Sequence, residues 1–200
     1  MVFSLLQRTL LVFFASHSLG YTAVSLISNS GFETGDKNGW TLDLDSSNPG
    51  KWVVTTFLPQ AGAYCLFADN WPKYISQNFI TNINKTDLLN FSFWTLTSST
   101  TADTPILDVR VKFADGTTQN IFNQSIATNS WQQHDMLPYI QNASFSKQIS
   151  GFSAAVYGTT NPYAIDTYYD SFSIASVPEP SALSLLAIGL GGLAMLRRRS

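Results

Sequence analysis

Residues Ile106–Gln119 read I-L-D-V-R-V-K-F-A-D-G-T-T-Q, and this stretch decides the fold class of the chain. Within it, the apolar residues of Leu107–Phe113 occupy every second position, which is the period of a strand with one buried face. The Asp-Gly pair that follows is typical of a tight hairpin turn. We therefore predict an antiparallel hairpin in which Asp108, Arg110 and Lys112 face water.

The same pattern continues on both sides as short runs of β-branched and aromatic residues separated by turn residues. The predicted strands are Leu26–Ser28, Trp40–Asp43, Trp52–Thr56, Ala63–Phe67, Tyr74–Thr81, Leu88–Leu96, Ile106–Phe113, Thr118–Asn123, Trp131–Leu137, Gln148–Tyr157 and Ile165–Ala175. No convincing amphipathic helix of ten residues interrupts them. This spacing predicts an all-β fold, an antiparallel jelly-roll β-sandwich over residues 21–176.

The composition limits the classes of function. Between Tyr21 and Val177 there are seven Lys or Arg and twelve Asp or Glu, which gives a net charge of −5. An acidic domain without a basic cluster lacks the electrostatic surface that a phosphate backbone requires, so we predict no nucleic-acid partner. Cys65 is the only cysteine, which excludes an internal disulfide and favours a small core side chain.

Residues 1–20 have the pattern of a secretory signal peptide. They combine Arg8, the apolar run T-L-L-V-F-F-A, and small residues at Ser18 and Gly20. We predict cleavage near Tyr21 and export of the domain that follows. A buried first helix is the alternative.

The C-terminal segment, residues 177–200, has three parts. V-P-E-P-S is followed by fifteen uncharged residues, Ala182–Leu196, and then by three arginines. The prolines stop a helix or strand from continuing through them, and the uncharged run is compatible with lipid. We predict a hydrophobic helix over about residues 181–196, which anchors the precursor in the inner membrane with its C-terminus in the cytoplasm. An ordinary tail anchor and a buried core helix are the alternatives.

These three parts together resemble the PEP-CTERM sorting signal of exopolysaccharide-producing bacteria. The motif residues are Val177, Pro178, Glu179, Pro180 and Ser181, and the membrane stop is Arg197, Arg198 and Arg199. The resemblance implies recognition by an exosortase-like sorting protease and cleavage near the motif. The expected destination is the cell surface or an extracellular matrix, with exopolysaccharide as a partner.

The domain carries a second resemblance. Leu26–Thr41, L-I-S-N-S-G-F-E-T-G-D-K-N-G-W-T, is similar to the opening of carbohydrate-binding-module-like, galactose-binding-like jelly rolls. Ile75–Phe79, Phe91–Trp94 and Asp166–Ile174 match later strands of those domains in the same order. Ser171 stands where their closing strand usually has a second acid.

Such domains often hold a structural calcium where the first and last strands meet. The matching positions are Glu33 and Asp170. Calcium takes about six to eight oxygen ligands, which two carboxylates, nearby carbonyls and water would supply. Alternatively, both side chains cap turns or accept backbone hydrogen bonds at the end of the sheet.

For a sugar ligand we predict contacts at Asp69, Asn70 and Trp71. A tryptophan in a polar, proline-containing loop can present its ring to a sugar, while its neighbours hydrogen-bond the hydroxyls. Tyr157 and Tyr163 are further candidates. Alternatively, Trp71 folds over the rim of the sandwich.

Patterns of catalysis are missing from the sequence. His134 is the only histidine after the signal peptide, and there is no G-x-S-x-G, H-E-x-x-H or Gly-rich phosphate loop. We therefore predict no catalytic residues. The expected protein is an exported bacterial surface or matrix protein, carbohydrate-binding or structural and linked to exopolysaccharide or biofilm. The alternatives are an anchored adhesion protein without a glycan ligand and a polysaccharide hydrolase.

Overall fold

The structure, a computed structural model, describes residues 22–43, 51–69, 74–99, 103–161 and 165–177. The predicted signal peptide, the sorting segment beyond Val177, and Asn70, Trp71 and Tyr163 lie outside the described residues. Ala23–Val177 forms one compact unit, and this unit is called the domain.

Among the described residues, eleven strands and one short helix form. Ten of the strands overlap the predicted runs, whereas the first, Val24–Ser25, lies just before the predicted Leu26–Ser28, which is irregular. The elements are β1 Val24–Ser25, β2 Thr41–Leu42, β3 Trp52–Thr55, β4 Cys65–Ala68, β5 Ile75–Ile83, β6 Leu88–Ser99, β7 Pro105–Phe113, β8 Thr118–Ser125, β9 Trp131–Asp135, α1 Leu137–Asn142, β10 Ile149–Gly158 and β11 Ile165–Ser176. A 3-10 turn, Lys85–Asp87, joins β5 to β6.

The strands make two antiparallel sheets. The six-stranded sheet has the order β3-β4-β11-β6-β9, and β1 also pairs with β11. The five-stranded sheet has the order β2-β5-β10-β7-β8. Most neighbours in each sheet are distant in sequence, as in a jelly roll, and the predicted antiparallel β-sandwich is confirmed.

Apolar side chains between the two sheets form the core. On β7, Leu107, Val109 and Val111 are fully buried, as their alternation predicts. Phe93 on β6 and Phe172 on β11 stack with ring centroids 5.0 Å apart. Burying one such side chain contributes roughly 1.5–3 kcal/mol, so the inward faces of the sheets supply most of the stability.

Two expectations for single residues are wrong. Leu137, predicted to end a strand, begins α1, because Pro138 has no N–H for a strand ladder and suits the first turn of a helix. Asp108, predicted to face water, is only 3% exposed, since longer side chains on the same face cover it. Cys65 is a buried free thiol, as predicted, and burial raises its pKa to about 12.

The two ends of the sandwich are distinguished by the strand ends that meet there. At one end, called the Gly158 end, β10 finishes at Gly158 opposite Pro105, the first residue of β7. At the other, called the terminal end, Val24 of β1 lies opposite Ser176 of β11. The Val177 N–H donates there to a backbone carbonyl of the 3-10 turn at 2.8 Å. The chain therefore enters and leaves the sandwich at the same end.

Candidate functional site

The central strand of the five-stranded sheet has small residues on its outward face. On β10 the outward residues are Gly151, Ser153 and Ala155, while Phe152 and Ala154 between them are buried in the core. The strand registers place Asn78 and Lys112 on either side of Gly151, and Ser76 and Arg110 on either side of Ser153. We call this strip of the outward face along β10 the groove, with the small residues as its floor.

A charged pair stands on the β7 side of this groove. Arg110 donates from Nε to Asp108 Oδ1 at 3.1 Å and from Nη2 to Asp108 Oδ2 at 3.2 Å. Asn123 on β8 donates from Nδ2 to the same Oδ2 at 3.2 Å. The Arg110 side chain is 40% exposed, whereas the Asp108 side chain is 4% exposed. The guanidinium thus covers the carboxylate and keeps further N–H groups for solvent or a ligand.

Two tyrosines complete the arrangement toward the Gly158 end. The guanidinium carbon of Arg110 lies 4.6 Å from the ring centroid of Tyr74, a cation–π distance. Asn123 Nδ2 also donates to the Tyr157 hydroxyl at 2.9 Å. Burial, and then the charge of Asp108, raises the pKa of Tyr74 to about 12. Tyr74, Asp108, Arg110, Asn123 and Tyr157 are hereafter the Arg110 cluster.

The Arg110 cluster combines aromatic rings with fixed hydrogen-bonding groups. A hydroxyl-rich ligand would find ring surface for its C–H groups and polar partners for its hydroxyls. The polar groups already bond to one another, so little side-chain entropy is lost when a ligand binds. The cluster is therefore suited to binding.

A depression continues the groove toward the terminal end. It has a volume of about 540 Å³, and Lys112 lies in its lining with Asn78, Asn82, Thr118 and Ser150. We call it the Lys112 depression. Burial lowers the pKa of Lys112, and the charge of Asp43 acts in the opposite direction. The lining offers one cation among neutral amides and hydroxyls.

Glu33 and Asp170, the predicted calcium ligands, line another depression, of about 360 Å³. Glu33 accepts hydrogen bonds from the N–H groups of Ala63 and Tyr64 at 3.0–3.2 Å. Asp170 accepts from two further N–H groups of the same loop, residues 60–64, at 2.8 and 3.2 Å. The two carboxylates thereby tie this loop to the first and last segments of the domain.

These contacts bear on the calcium prediction. In the part of the chain that the structure describes, no third His, Cys, Asp or Glu joins Glu33 and Asp170 in a metal-binding group. Their immediate partners are N–H donors, whereas calcium requires oxygen ligands. The observed contacts match the alternative role, acceptance of backbone hydrogen bonds, and the calcium site stays a prediction.

The predicted sugar contacts fall only partly within the described residues. Asp69 follows β4, and its N–H donates to the Lys51 carbonyl at 3.1 Å. Tyr157 belongs to the Arg110 cluster. Tyr74, Asp108, Arg110 and Asn123 were not predicted as ligand contacts, although the D-x-R-x-K alternation already placed charges on one face of β7.

His134 has a structural environment. It is 8% exposed, and its Nε2 lies 2.8 Å from Thr95 Oγ1 on the neighbouring strand β6. Burial lowers its pKa to about 4. A neutral, covered imidazole that bonds a core hydroxyl fits the structural role usual for a lone strand histidine.

Solved structures share the jelly-roll architecture of the domain. The TmCBM61 module, in complex with β-1,4-galactotriose, matches with a TM-score of 0.51 and 13% identity, covering 76% of this chain and 99% of that one. The CBM22-1–GH10 modules of Clostridium thermocellum Xyn10B, complexed with xylohexaose, give 0.51 and 11%, covering 80% and 29%. The enzymatically active domain of bacteriophage CBA120 tailspike protein 4 gives 0.53 and 9%, covering 77% and 22%. At these identities the likeness shows the fold alone.

Family comparison identifies the C-terminal segment. Residues 176–199 match the PEP-CTERM protein-sorting motif, as predicted from the residues that follow Ser176. The chain is thus an exported protein with a C-terminal sorting signal. No curated protein matches the sequence. Within the described residues, no helix is long and apolar enough to cross a membrane, and the predicted membrane helix lies outside them.

Proposed function

We propose that this chain is an exported bacterial surface protein whose domain binds a carbohydrate without cleaving it. The observation that carries the proposal is the Arg110 cluster, in which Tyr74 and Tyr157 accompany a fixed polar network on an open sheet face. Sugar recognition needs ring surface and oriented hydrogen-bonding groups, and the cluster has both. One module of similar fold was solved with β-1,4-galactotriose, and a CBM22-1–GH10 pair was solved with xylohexaose, which supports a carbohydrate as the ligand class.

The sorting motif supports the second half of the proposal. An exosortase-type protease would recognise Pro178-Glu179-Pro180 while residues 181–196 hold the precursor in the inner membrane. Arg197–Arg199 would remain in the cytoplasm. Cleavage would then deliver the domain to the cell surface or to an exopolysaccharide matrix, where a carbohydrate-binding face has its ligand.

Binding to polysaccharides tests the proposed carbohydrate-binding function. The full-length chain, purified in detergent, is titrated with β-1,4-galactan, xylan and the host's exopolysaccharide. Tyr157→Ala should weaken binding about 3- to 10-fold, because the ring and its hydroxyl are lost together. Phe57→Ala is the control, since Phe57 is 62% exposed and lies outside the groove. Unchanged binding in Tyr157→Ala would contradict the site, and release of reducing sugar ends would contradict a non-catalytic role.

Processing of the chain in the host tests the proposed sorting by an exosortase-type protease. A Pro178→Ala, Pro180→Ala chain should keep its full length, whereas the natural chain should shorten by the mass of the tail. Ser184→Ala changes a residue outside the motif and should be processed normally. Shortening that persists after deletion of the host's exosortase would contradict the sorting proposal and leave an ordinary tail anchor.

An adhesion protein without a glycan ligand remains the second candidate, because of one feature of the six-stranded sheet. The strand registers align five apolar residues in a row across its outward face, namely Val53, Phe67, Tyr168, Leu96 and Trp131. Val53 is 43% exposed, and apolar surface of this kind is typical of a protein contact. The absence of binding to every polysaccharide above would favour this candidate.

A further inference from the structure

The two sheets carry opposite charge. The described strands of the six-stranded sheet carry the acids Asp135, Asp166 and Asp170 and no Lys or Arg. The described strands of the five-stranded sheet carry Asp108, Arg110 and Lys112. The domain as a whole has a net charge of −5, so the two cations are concentrated on one face of an acidic domain.

Asp108, the acid on these strands, is covered. Asp108 is 3% exposed, and its two oxygens accept from Arg110 Nε and Nη2. A guanidinium has five N–H groups, so three remain after these two bonds. The 40% exposed side chain of Arg110 can therefore hold Asp108 and still donate to a second carboxylate.

Lys112 extends the positive surface along the groove. Two residues along a strand span about 7 Å, so the Arg110 and Lys112 backbones are close together on the same face of β7. Among the described residues that line the Lys112 depression there is no acid, and the Asp43 carboxylate outside that lining favours the charged form of Lys112. A polymer lying along β10 would meet the rings and the guanidinium of the Arg110 cluster first, and then the ammonium.

We infer that the ligand of this groove is an acidic polysaccharide, whose uronic-acid carboxylates are bound by Arg110 and Lys112. The inference rests on the proposed carbohydrate-binding function and names the chemical class of its ligand. The rings and amides contact the neutral parts of the sugar, and the two cations contact its carboxylates. A carboxylate near both cations gains charge-assisted hydrogen bonds that a neutral sugar does not.

Other anionic partners fit the face less well. Juxtamembrane basic segments that bind an anionic bilayer carry clusters of about four to eight Lys or Arg. Two cations on a domain of net charge −5 fall short of that. The neutral neighbours of Lys112, two asparagines, a serine and a threonine, are partners for hydroxyls.

The test compares one polymer with and without its charge. Full-length protein in detergent is titrated with polygalacturonate and with the same polymer after reduction of its carboxylates to alcohols, at about 0.05 M and 0.5 M salt. We expect at least about tenfold tighter binding of the acidic polymer at low salt, and a smaller difference at high salt as screening increases. Lys112→Gln should weaken binding of the acidic polymer about 3- to 10-fold and leave the reduced polymer unchanged. Lys51→Gln, which removes the same charge outside the groove, should change neither.

Each outcome separates the inference from the proposed function. Equal affinity for the two polymers, or unchanged acidic-polymer binding in Lys112→Gln, would overturn the inference and leave carbohydrate binding intact. Failure to bind any polysaccharide would overturn the proposed function. Equally tight binding to anionic lipid vesicles, also lost in Lys112→Gln, would overturn the inference in favour of a membrane surface.

Discussion

The guanidinium carbon of Arg110 lies 4.6 Å from the ring centroid of Tyr74, although their segments are on opposite sides of β10. Ser153 and Ala155, the floor residues of β10 at this level, are 6% and 1% exposed. The ring and the guanidinium therefore cover the middle of the groove. This contact therefore contributes both to the free energy of unfolding of the domain and to the surface proposed to bind the ligand.

Tyr74→Ala should lower the free energy of unfolding by about 1–3 kcal/mol, because the ring covers apolar floor and holds the guanidinium. Tyr74→Phe removes only the hydroxyl and should cost about 1 kcal/mol. Urea unfolding measures both. The Tyr74 hydroxyl hydrogen-bonds Asp108. Equal losses in the two variants would show that the ring contributes nothing and that this hydrogen bond carries the effect.

Asp108→Asn should destabilise the domain by about 1–3 kcal/mol, because an amide NH2 would replace one covered carboxylate oxygen and face the donors of Arg110 and Asn123. The matched control is Asp115→Asn in the hairpin turn. Asp115 pairs with Lys147 at 2.7 Å with both side chains about half exposed, and Asn-Gly suits the same turn as Asp-Gly. The control should therefore lose less stability. A larger loss of stability in Asp115→Asn would contradict the expectation that the covered Asp108–Arg110 pair stabilises the domain more than the exposed Asp115–Lys147 pair.

His134 should make stability depend on pH. Burial lowers its pKa to about 4 from the ordinary 6.5, so between these values the unfolded chain binds the extra proton. Stability is then complete above about pH 6.5 and falls by up to about 3 kcal/mol as the pH drops to 4. The wild-type curve minus the His134→Gln curve isolates this dependence from that of the carboxylates. A difference that does not change with pH would contradict it.

The calcium prediction is tested by thermal melts with a chelator and with added calcium. If Glu33 and Asp170 bind the ion, the melting midpoint should fall on chelation, since saturation at about 100 times the Kd adds about 2.7 kcal/mol. Glu33→Gln should abolish that difference. A midpoint that is unaffected by chelation but lowered by Glu33→Gln would assign both carboxylates to the backbone hydrogen bonds of the 60–64 loop alone.

Gly62→Ala should be more harmful than the same change at Gly116. Both glycines have positive φ, +67° and +82°, which costs an alanine about 1–2 kcal/mol. A Cβ at Gly62 would also collide with the Glu33 carboxylate, whereas one at Gly116 meets nothing within 4 Å. Comparison of urea midpoints gives the cost of the collision. Equal urea midpoints would mean that the Glu33 side chain can move aside without loss of stability.

The core-facing residues of the strands could be predicted because they follow from the local alternation of apolar and polar residues. In Leu107–Phe113, each apolar position lies in the core, and ten of the eleven predicted strands overlap an observed strand. The exception is Leu26–Ser28, which is irregular and follows β1. The resemblance to jelly-roll domains also placed Glu33 and Asp170 together, and they line the same depression.

The outward cluster could not be predicted, because it depends on strand order. Tyr157 and Asn123 are bonded at a separation of 34 residues, and Tyr74 reaches Arg110 across β10. Alternation shows that these side chains face outward but not which strands are neighbours, since pairing is non-local. The covered state of Asp108 has the same cause, because the residues that cover it come from other strands.

The position of Val177 has a mechanical consequence. The strand just before it, β11, pairs with β6 from Ile165 to Ser176, and the hydrogen bonds of an antiparallel ladder run perpendicular to the strands. A pull between Val177 and a ligand held near the Gly158 end would act along the strands. Many ladder bonds would then share the load in shear, whereas attachment at a strand's side would peel them apart one by one. A domain held by this end should resist drag forces better than its equilibrium stability alone suggests.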